Sequence, residues 1–366
     1  MNINLYGLGL MSGTSLDGID VSIIKSDGEQ YFEIIDDLCL KYDDQLKSKL
    51  KKIIDLCSSR DQLAKMSKEI VDLEKELTLC HANACKLITE KNKKIKIDLI
   101  GFHGQTILHK PQKGYSIQIG DSKLLSKITN TTIISNFREN DILNGGEGAP
   151  LAPIYHQLIL TRIKSKPPSA VINIGGISNI TYLEESNKIV SFDTGPGNCL
   201  IDEWVRNKTK KEFDNDGVIA RSGQTDDETL KKFLSDPYFK KKFPKSLDIK
   251  DFNLQNLNKL NLEDGCATLS MLTASSICMA LNNFIKKPNL VLLSGGGRKN
   301  KYIVDNIKKK FTGTVKLIDN FNFNGDFIES QAFAYLAIRS YLKKFITFPS
   351  TTGVKKPCLG GSIFKS

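Results

Sequence analysis

The chain has 366 residues, of which 40% are hydrophobic, and its 52 Lys and Arg against 41 Asp and Glu give a net charge of +11 at pH 7. This length predicts one to three domains, most simply two, with enough apolar content for buried cores. No apolar run is long enough to cross a membrane and no signal-peptide pattern is present, so we expect a cytoplasmic protein without a membrane partner.

The charge and the cysteines also argue against two classes of site. The lysines are scattered, as in 91–96, 240–245 and 308–310, without interleaved aromatic residues or a nucleic-acid motif. We therefore expect no nucleic-acid partner. The eight cysteines form no Cys-x-x-Cys pair and do not cluster with the four histidines. Reduced and mostly buried thiols are expected, rather than a metal site.

The first predicted element is a β-hairpin with strands at 3–10 and 18–25. Its tip combines Ser-Gly-Thr-Ser at 12–15 with Asp17-Gly18, a strong turn signal between two apolar runs. Successive N–H groups without bulky side chains suit a phosphate, although an ordinary Ser/Gly turn would look the same. No P-loop is present, and the following strand argues against a dinucleotide-binding turn.

The next elements predict an alternating α/β order. Apolar residues at helical spacing predict a helix at 60–91, followed by a buried strand at 95–102. His103 to Thr106 would then lie at the carboxyl end of that strand, where ligands bind in open α/β sheets. A Gly/Pro-rich loop at 142–153 is a candidate hinge.

A second strand, glycine turn and strand occupies 170–183, with the tip at Gly175-Gly176. It follows the first hairpin by about 160 residues, which is one domain length. This spacing indicates a duplicated domain, whose two glycine tips would face each other across a cleft.

The remaining elements alternate in the same way. A sharp turn at 193–198 is predicted to open a helix that contains Trp204. Asp264 is predicted to cap a helix at 265–287, which Pro288 closes. A strand at 289–294 leads into Gly295 to Gly297, and a final helix is expected at 328–345.

In chain order, these motifs resemble the anhydro-N-acetylmuramic acid kinases of the hexokinase/actin/Hsp70-like ATPase superfamily. The family often has Pro-Lys-Ser-Thr-Gly-Arg-Glu where this chain has Pro-Lys-Ser-Leu-Asp-Ile-Lys at 244–250. That difference puts in doubt any ligand contact made there. The matching segments are Gly9–Asp20, Gly101–Thr106, Asn136–Asp141, Gly145–Leu151, Asn173–Thr181, Phe192–Asn198, Leu200–Asp202, Asp216–Gly217, Ala267–Leu269, Gly295–Gly297 and Glu329–Ala337.

The resemblance implies an α/β, two-lobed actin-like ATPase fold with duplicated mixed-sheet domains and a central cleft. Domain I would comprise residues 1–133 plus 330–366, and domain II residues 134–329. The implied reaction uses ATP and water to open 1,6-anhydro-N-acetylmuramic acid and to phosphorylate O6. The product is N-acetylmuramate 6-phosphate, in peptidoglycan recycling. Two alternatives are another sugar or carboxylate kinase of this fold, and an ATP-gated binding module without catalysis.

The resemblance also implies partners and cofactors. The partners would be an amino sugar and ATP, and the oligomeric state stays open, a homodimer included. Mg²⁺ would be held mainly through phosphates and water, near Asp17 and Asp20, rather than by a dedicated set of protein ligands. The residues implied to bind ATP are Gly13, Thr14, Ser15, Leu16, Asp17, Gly18, Ile19, Asp20, Gly175, Gly176, Gly295, Gly296 and Gly297.

The implied catalytic residue is Asp193, as the base that activates water at the anomeric carbon; its alternative is a turn cap. The implied substrate residues are His103, Gln105, Arg138 and Glu329. Arg138 offers a planar fork for the lactyl carboxylate of the sugar. Its alternative is a surface pair with a neighbouring carboxylate. Glu329 would bond the sugar or the attacking water, or else serve as an acidic helix start.

Overall fold

A computed structural model describes residues 3–13, 16–248, 251–257 and 259–365. The chain forms two compact units, Met1–Leu158 with Phe327–Ser366 and Ile159–Asp326. The sequence placed the first boundary after residue 133, whereas the structure counts 134–158 with the first unit. In that stretch, the carboxylate of Asp141 accepts a hydrogen bond from Thr352 Oγ1 at 2.6 Å, which ties the stretch to the C-terminal segment.

Strands and helices alternate along the chain. The strands are β1 (Leu5–Ser12), β2 (Gly18–Ser26), β3 (Phe32–Lys41), β4 (Leu99–Lys110), β5 (Tyr115–Ile119), β6 (Thr132–Ser135), β7 (Ser169–Ile174), β8 (Ile177–Leu183), β9 (Ile189–Pro196), β10 (Leu290–Ser294), β11 (Thr314–Leu317) and β12 (Ser362–Phe364). The helices are α1 (Asp44–Leu56), α2 (Arg60–Lys65), α3 (Ser67–Lys91), α4 (Ser122–Thr129), α5 (Glu139–Leu143), α6 (Pro153–Arg162), α7 (Cys199–Lys208), α8 (Val218–Ser222), α9 (Asp227–Leu234), α10 (Leu262–Asn282), α11 (Lys301–Lys310), α12 (Ile328–Tyr341) and α13 (Pro349–Thr352).

Each unit is built on one mixed sheet, and the two sheets share a topology. In the first unit the strand order is β12-β6-β4-β1-β2-β3, with β5 paired to β4. In the second unit it is β11-β10-β7-β8-β9. In both, a three-strand antiparallel meander begins at a strand that also has a parallel neighbour, β4 beside β1 and β10 beside β7. The expected α/β class with a repeated mixed sheet is therefore confirmed.

The core of the second unit encloses strand β7, which is buried along its whole length, and most of helix α10. Among the described residues, α10 is the one helix long and apolar enough to span a membrane by length and composition. Of its apolar window, 83% is buried inside the unit, as in the core helix of a globular protein.

Several predicted boundaries were wrong. The helix expected at 60–91 is interrupted at Met66, whose N–H bonds to Leu63 O as in a tightened helix end. The helix expected from 265 is capped by Asn261, because the Asn261 side chain, and not that of Asp264, accepts the backbone N–H at the first turn. It ends at Asn282, before Pro288.

Candidate functional site

The hairpin of β1 and β2 forms as predicted, with its strands paired antiparallel. Of its tip, Thr14 and Ser15 lie outside the described residues. Leu16 has a left-handed φ of 57° and donates its N–H to Gly13 O at 3.3 Å. The Asp17 side chain is exposed, with Lys47 Nζ 3.8 Å from its Oδ1.

The first residues of β2 divide between core and surface. Ile19 has its side chain fully buried, so its main chain is the part left for a ligand. Asp20 is half-buried and is paired in register with Cys39 of β3. Burial, and next the charge of Asp20, raise the pKa of the Cys39 thiol to about 12. In the described part of the chain, no group of three His, Cys, Asp or Glu side chains could hold a metal ion.

His103 and Arg138, both predicted substrate residues, contact each other. Strand β4 continues past His103 to Lys110, so the prediction that this residue follows the strand was wrong; the extension pairs with β5. His103 Nε2 accepts hydrogen bonds from Arg138 Nε at 3.2 Å and Nη2 at 2.9 Å, and Nδ1 lies 2.7 Å from Gly104 O. Since arginine can only donate, the ring is neutral with its proton on Nδ1.

The environment of His103 keeps it neutral. Burial, and next the positive charge of Arg138, lower the pKa of His103 well below its ordinary value. Arg138 Nη1 also donates to Gly148 O at 2.7 Å. The alternative for Arg138 was a surface pair with Glu139 or Asp141; of these, Asp141 is buried and accepts the N–H of Gly148.

Gln105 connects β4 to the hairpin tip. Its side chain is fully buried, and Nε2 lies 3.3 Å from Gly13 O. Its Oε1 has no hydrogen-bond partner among the described residues. A buried and unsatisfied acceptor is uncommon and calls for an explanation, such as a donor supplied by a ligand or water.

In the second unit, the Gly175-Gly176 turn between β7 and β8 contacts the start of helix α7. Gly175 O accepts the N–H of Asn198 at 2.8 Å, and Gly176 O accepts those of Gly197 at 2.9 Å and Cys199 at 3.2 Å. A side chain at Gly197 would overlap Gly175 O. The two turns therefore pack mainly through their main chains, and Asn198 Nδ2 adds a side-chain bond to Ile174 O at 3.2 Å.

The Gly295 to Gly297 turn after β10 joins this cluster. Gly295 has a φ of 77°, which favours glycine. A Cβ at Gly297 would overlap the side chains of Ile174 and Asn198, whereas one at Gly296 would meet only Asn198 Nδ2, at 3.9 Å. Three of the predicted glycine segments thus meet in one place, which we call the glycine cluster: residues 175–176, 197–198 and 295–297.

Arg298 holds the glycine cluster through a bond to Gly295 O, and no sequence pattern marks this residue beyond its position directly after Gly297. The buried guanidinium donates from Nε and Nη2 to the two carboxylate oxygens of Asp319, at 2.7 and 2.9 Å. Nη1 donates to Asp326 Oδ1 at 2.6 Å and to Gly295 O at 3.0 Å. Burial alone would raise the pKa values of both carboxyl groups, but the hydrogen bonds from Arg298 hold them below their ordinary range.

Asp193 lies within strand β9, not in a turn after it, because β9 continues to Pro196. The side chain is buried. Oδ2 accepts the N–H of Leu247 at 2.8 Å, and the N–H of Asp193 donates to Lys245 O at 3.0 Å. The carboxylate therefore accepts a hydrogen bond from a segment far along the chain.

Glu329 lies in the first turn of α12, half-buried. The next two residues attach this helix start to the first sheet. Ser330 Oγ lies 2.6 Å from Ser22 Oγ, and Gln331 Nε2 donates to the Asp37 carboxylate at 3.0 and 3.1 Å. This attachment was not visible in the sequence, because it joins positions about 300 residues apart.

The fold is thus that of a two-unit α/β protein with a repeated mixed sheet, and its sequence relatives define it further. The sequence profile of the anhydro-N-acetylmuramic acid kinase family matches residues 5–366. A curated relative from Pelagibacter ubique, "Anhydro-N-acetylmuramic acid kinase", is 46% identical over 98% of both chains. One of the same name from Zymomonas mobilis is 38% identical over 98% of this chain and 99% of its own. The chain belongs to the anhydro-N-acetylmuramic acid kinase family.

Two solved structures that are similar to the chain are more distant. The activator of 2-hydroxyisocaproyl-CoA dehydratase from Clostridium difficile is 12% identical, with a TM-score of 0.46 over 93% of this chain and 96% of its own. A glucokinase from Streptomyces griseus is 10% identical, with a TM-score of 0.41 over 90% and 98%. Similarity at this level carries no argument about function.

We predict that Arg298→Met lowers the free energy of unfolding by about 2 kcal/mol at pH 7, since it leaves two carboxylates facing each other without their cation. Lys299→Met is the matched control. Lys299 also bonds Asp326, but its side chain is 58% exposed, so we expect a loss below about 0.5 kcal/mol. Urea unfolding followed by circular dichroism measures both, and equal losses would contradict the role assigned to Arg298.

The pH dependence of the free energy of unfolding provides a second test of Arg298→Met. Because the folded pKa values of Asp319 and Asp326 are lowered, their contribution is present above the unfolded pKa of about 4 and is lost as pH falls below it. Wild-type stability should decline in this acid range, and the decline should be smaller in Arg298→Met. An unchanged decline would mean that these carboxylates are not coupled to Arg298.

Proposed function

We propose that the protein is an ATP-dependent kinase that opens 1,6-anhydro-N-acetylmuramic acid with water and phosphorylates O6, giving N-acetylmuramate 6-phosphate and ADP. The reaction belongs to peptidoglycan recycling, and the proposed location is the cytoplasm. The family match over residues 5–366 supports the activity. The observation in the fold that favours it most is the glycine cluster, which adjoins the strand that carries a buried carboxylate, Asp193.

The proposed chemistry begins with the anhydro bond. Asp193 takes a proton from water as the water oxygen bonds to the anomeric carbon, and the bond from that carbon to O6 breaks. O6 keeps the electron pair of that bond and attacks the γ-phosphorus of ATP, and ADP leaves. The atoms balance, since one water and one phosphoryl group are added to the sugar. A carboxylate fixed by the N–H of Leu247 suits this task, because little reorganisation is needed.

Each unit has its own proposed nucleotide contacts. In the first, Gly13 to Asp20 would face the β- and γ-phosphates, with the main chain of Ile19 rather than its buried side chain. In the second, Gly175 and Gly176 would contact phosphates, and Gly295 to Gly297 the α-phosphate or adenosine. Exposed Asp17 and half-buried Asp20 suit a Mg²⁺ ion held through water. When bound, that ion would neutralise phosphate charge.

The proposed sugar contacts depend on Arg138. Its guanidinium is oriented by His103 and by Gly148 O, so it can present a fixed fork to the lactyl carboxylate. His103 then acts mainly by holding Arg138. Gln105, with a buried acceptor lacking a partner among the described residues, would bind a sugar hydroxyl or an ordered water. Glu329 would bond the sugar or the attacking water.

An assay of ADP release across 1,6-anhydro sugars and ordinary hexoses tests the activity. We expect turnover with 1,6-anhydro-N-acetylmuramic acid, and a product heavier by one phosphoryl group and one water. Turnover of ordinary hexoses alone would favour the alternative of another sugar kinase. ATP binding without any turnover would favour a non-catalytic binding module.

We predict that Asp193→Asn lowers kcat about a hundredfold or more, because the amide cannot accept the proton of the attacking water. The dissociation constant for ATP, measured by calorimetry, should stay as in the wild type. Asp305→Asn is the control, since Asp305 pairs with Arg221 at the surface of the same unit. A kcat near the wild-type value for Asp193→Asn would refute its role as the base.

We predict that Gly296→Ala weakens ATP binding about tenfold while the melting temperature is unchanged. The added methyl group meets only Asn198 Nδ2, at an ordinary contact distance of 3.9 Å, so a loss of ATP affinity arises only if the nucleotide occupies the remaining space. Gly114→Ala, on the first unit, is the control for ATP affinity: its φ of 79° is strained for alanine, so its melting temperature should fall while its affinity for ATP stays as in the wild type. Equal ATP affinities for Gly296→Ala and the wild type would exclude this turn from the nucleotide site.

A further inference from the structure

The loop that orients Arg138 is bonded to a buried carboxylate in the same unit. Arg138 Nη1 donates to Gly148 O, and the N–H of Gly148 donates to Asp141 Oδ2 at 2.7 Å. Gly148 thus connects the guanidinium to the carboxylate through its two main-chain groups. Asp141 is only 1% exposed, and a buried carboxylate depends on the hydrogen bonds that its surroundings supply.

The loop at 145–148 lies directly against Asp141. A Cβ at Gly146 would overlap the Asp141 carboxylate, and one at Gly148 would overlap the side chain of Ile142. The N–H of Gly146 also donates to Asp141 O at 2.9 Å. Close-packed groups transmit small displacements to one another, so a movement of the carboxylate would also move Gly148.

Thr352 holds both the carboxylate and the loop. Its hydroxyl donates to Asp141 Oδ1 at 2.6 Å, and its carbonyl oxygen accepts the N–H of Glu147 at 2.7 Å. Thr352 is fully buried at the end of α13, 211 residues along the chain from Asp141. A chain of hydrogen bonds therefore runs from this threonine through Asp141 and Gly148 to the guanidinium of Arg138.

We propose that Thr352 is a positioning residue for Arg138, and that it fixes the guanidinium for the sugar carboxylate through Asp141 and Gly148. This inference rests on the proposed function, in which Arg138 binds the lactyl carboxylate. Without the Thr352 hydroxyl, the buried Asp141 carboxylate loses a donor, and the Gly148 main chain is held less firmly. Because a bidentate pair with a carboxylate requires a defined orientation of the guanidinium, a small displacement weakens it.

The preceding residue, Thr351, provides a matched control. It lies in the same helix and is also buried, at 2% exposure. Its hydroxyl donates to Phe348 O at 3.0 Å and accepts the N–H of Phe348 at 3.1 Å, so these bonds stay within one turn. Thr351→Val therefore removes a buried hydroxyl from α13 and keeps the hydroxyl that bonds to Asp141.

The test measures dissociation constants for 1,6-anhydro-N-acetylmuramic acid and for ATP by calorimetry. We expect Thr352→Val to weaken sugar binding about tenfold, the equivalent of one buried hydrogen bond to a charged group, with the ATP constant unchanged. Thr352→Ser keeps the hydroxyl and should restore the affinity for the sugar, and Thr351→Val should bind the sugar as the wild type does. Thr352→Ala, which places no methyl group against the carboxylate, should repeat the result of Thr352→Val.

A second measurement needs no ligand. The Nε–H signal of Arg138, observed by NMR in nitrogen-15-labelled protein and identified by its loss in Arg138→Lys, reports the bond to His103. Exchange of this hydrogen with water should be about tenfold faster in Thr352→Val and Thr352→Ala than in the wild type or Thr351→Val. Failure of the proposed function alone would abolish sugar binding in the wild type and leave these exchange rates intact.

Two results would overturn the inference. One is an exchange rate of the Arg138 hydrogen in Thr352→Val and Thr352→Ala equal to that of the wild type. The other is a loss of sugar affinity that is equal in Thr352→Val and Thr351→Val, which would assign the effect to the stability of α13. A purely structural role would lower the melting temperature of both variants and leave the dissociation constant for the sugar unchanged.

Discussion

The close approach of three main-chain turns in the second unit is the constraint on which the candidate site depends. The carbonyl groups of Gly175 and Gly176 accept the N–H groups that open helix α7, and a side chain at Gly197 or Gly297 would separate them. Because these contacts are mainly between main-chain atoms, the turns lie close against each other. The charged side chain of Arg298 also holds this cluster, because it donates a hydrogen bond to Gly295 O.

Polar candidate residues in both units are also held in place by neighbouring groups of the protein. Asp193 is held by main-chain atoms of a remote segment, and His103 is held between Gly104 O and Arg138. In each case a neighbour fixes the orientation of the group, and the bonds from Arg138 also keep the His103 ring neutral. Groups fixed in this way need little rearrangement when charge develops, which is the usual source of electrostatic catalysis in enzymes.

The sequence predicted those features that are determined locally. Glycine turns between apolar runs predicted both hairpins. The spacing of the two hairpins along the chain predicted a repeated sheet, because strands joined by short connections are usually neighbours in a sheet. Boundaries were less accurate where tertiary contacts decide them. Strand β4 extends past His103 because β5 pairs with it. Strand β9 extends through Asp193 because β8 pairs with it there.

The contacts that position the candidate site could not be predicted. Arg298 bonds to Asp319 and Asp326, which follow it by more than twenty residues. Asp193 bonds to Leu247, which follows it by 54 residues. No periodicity or turn signal encodes such pairs, since they depend on how separate elements pack. The sequence therefore nominates candidate residues, but it does not predict their partners.

The central claim is that water attacks the sugar and not the nucleotide. The most direct test is the reaction in water enriched in heavy oxygen, with the sugar product reduced by borohydride before its anomeric oxygen exchanges with solvent. The account predicts one heavy oxygen on the anomeric carbon and none in the phosphoryl group. Heavy oxygen in the phosphoryl group, with none at the anomeric carbon, would contradict it.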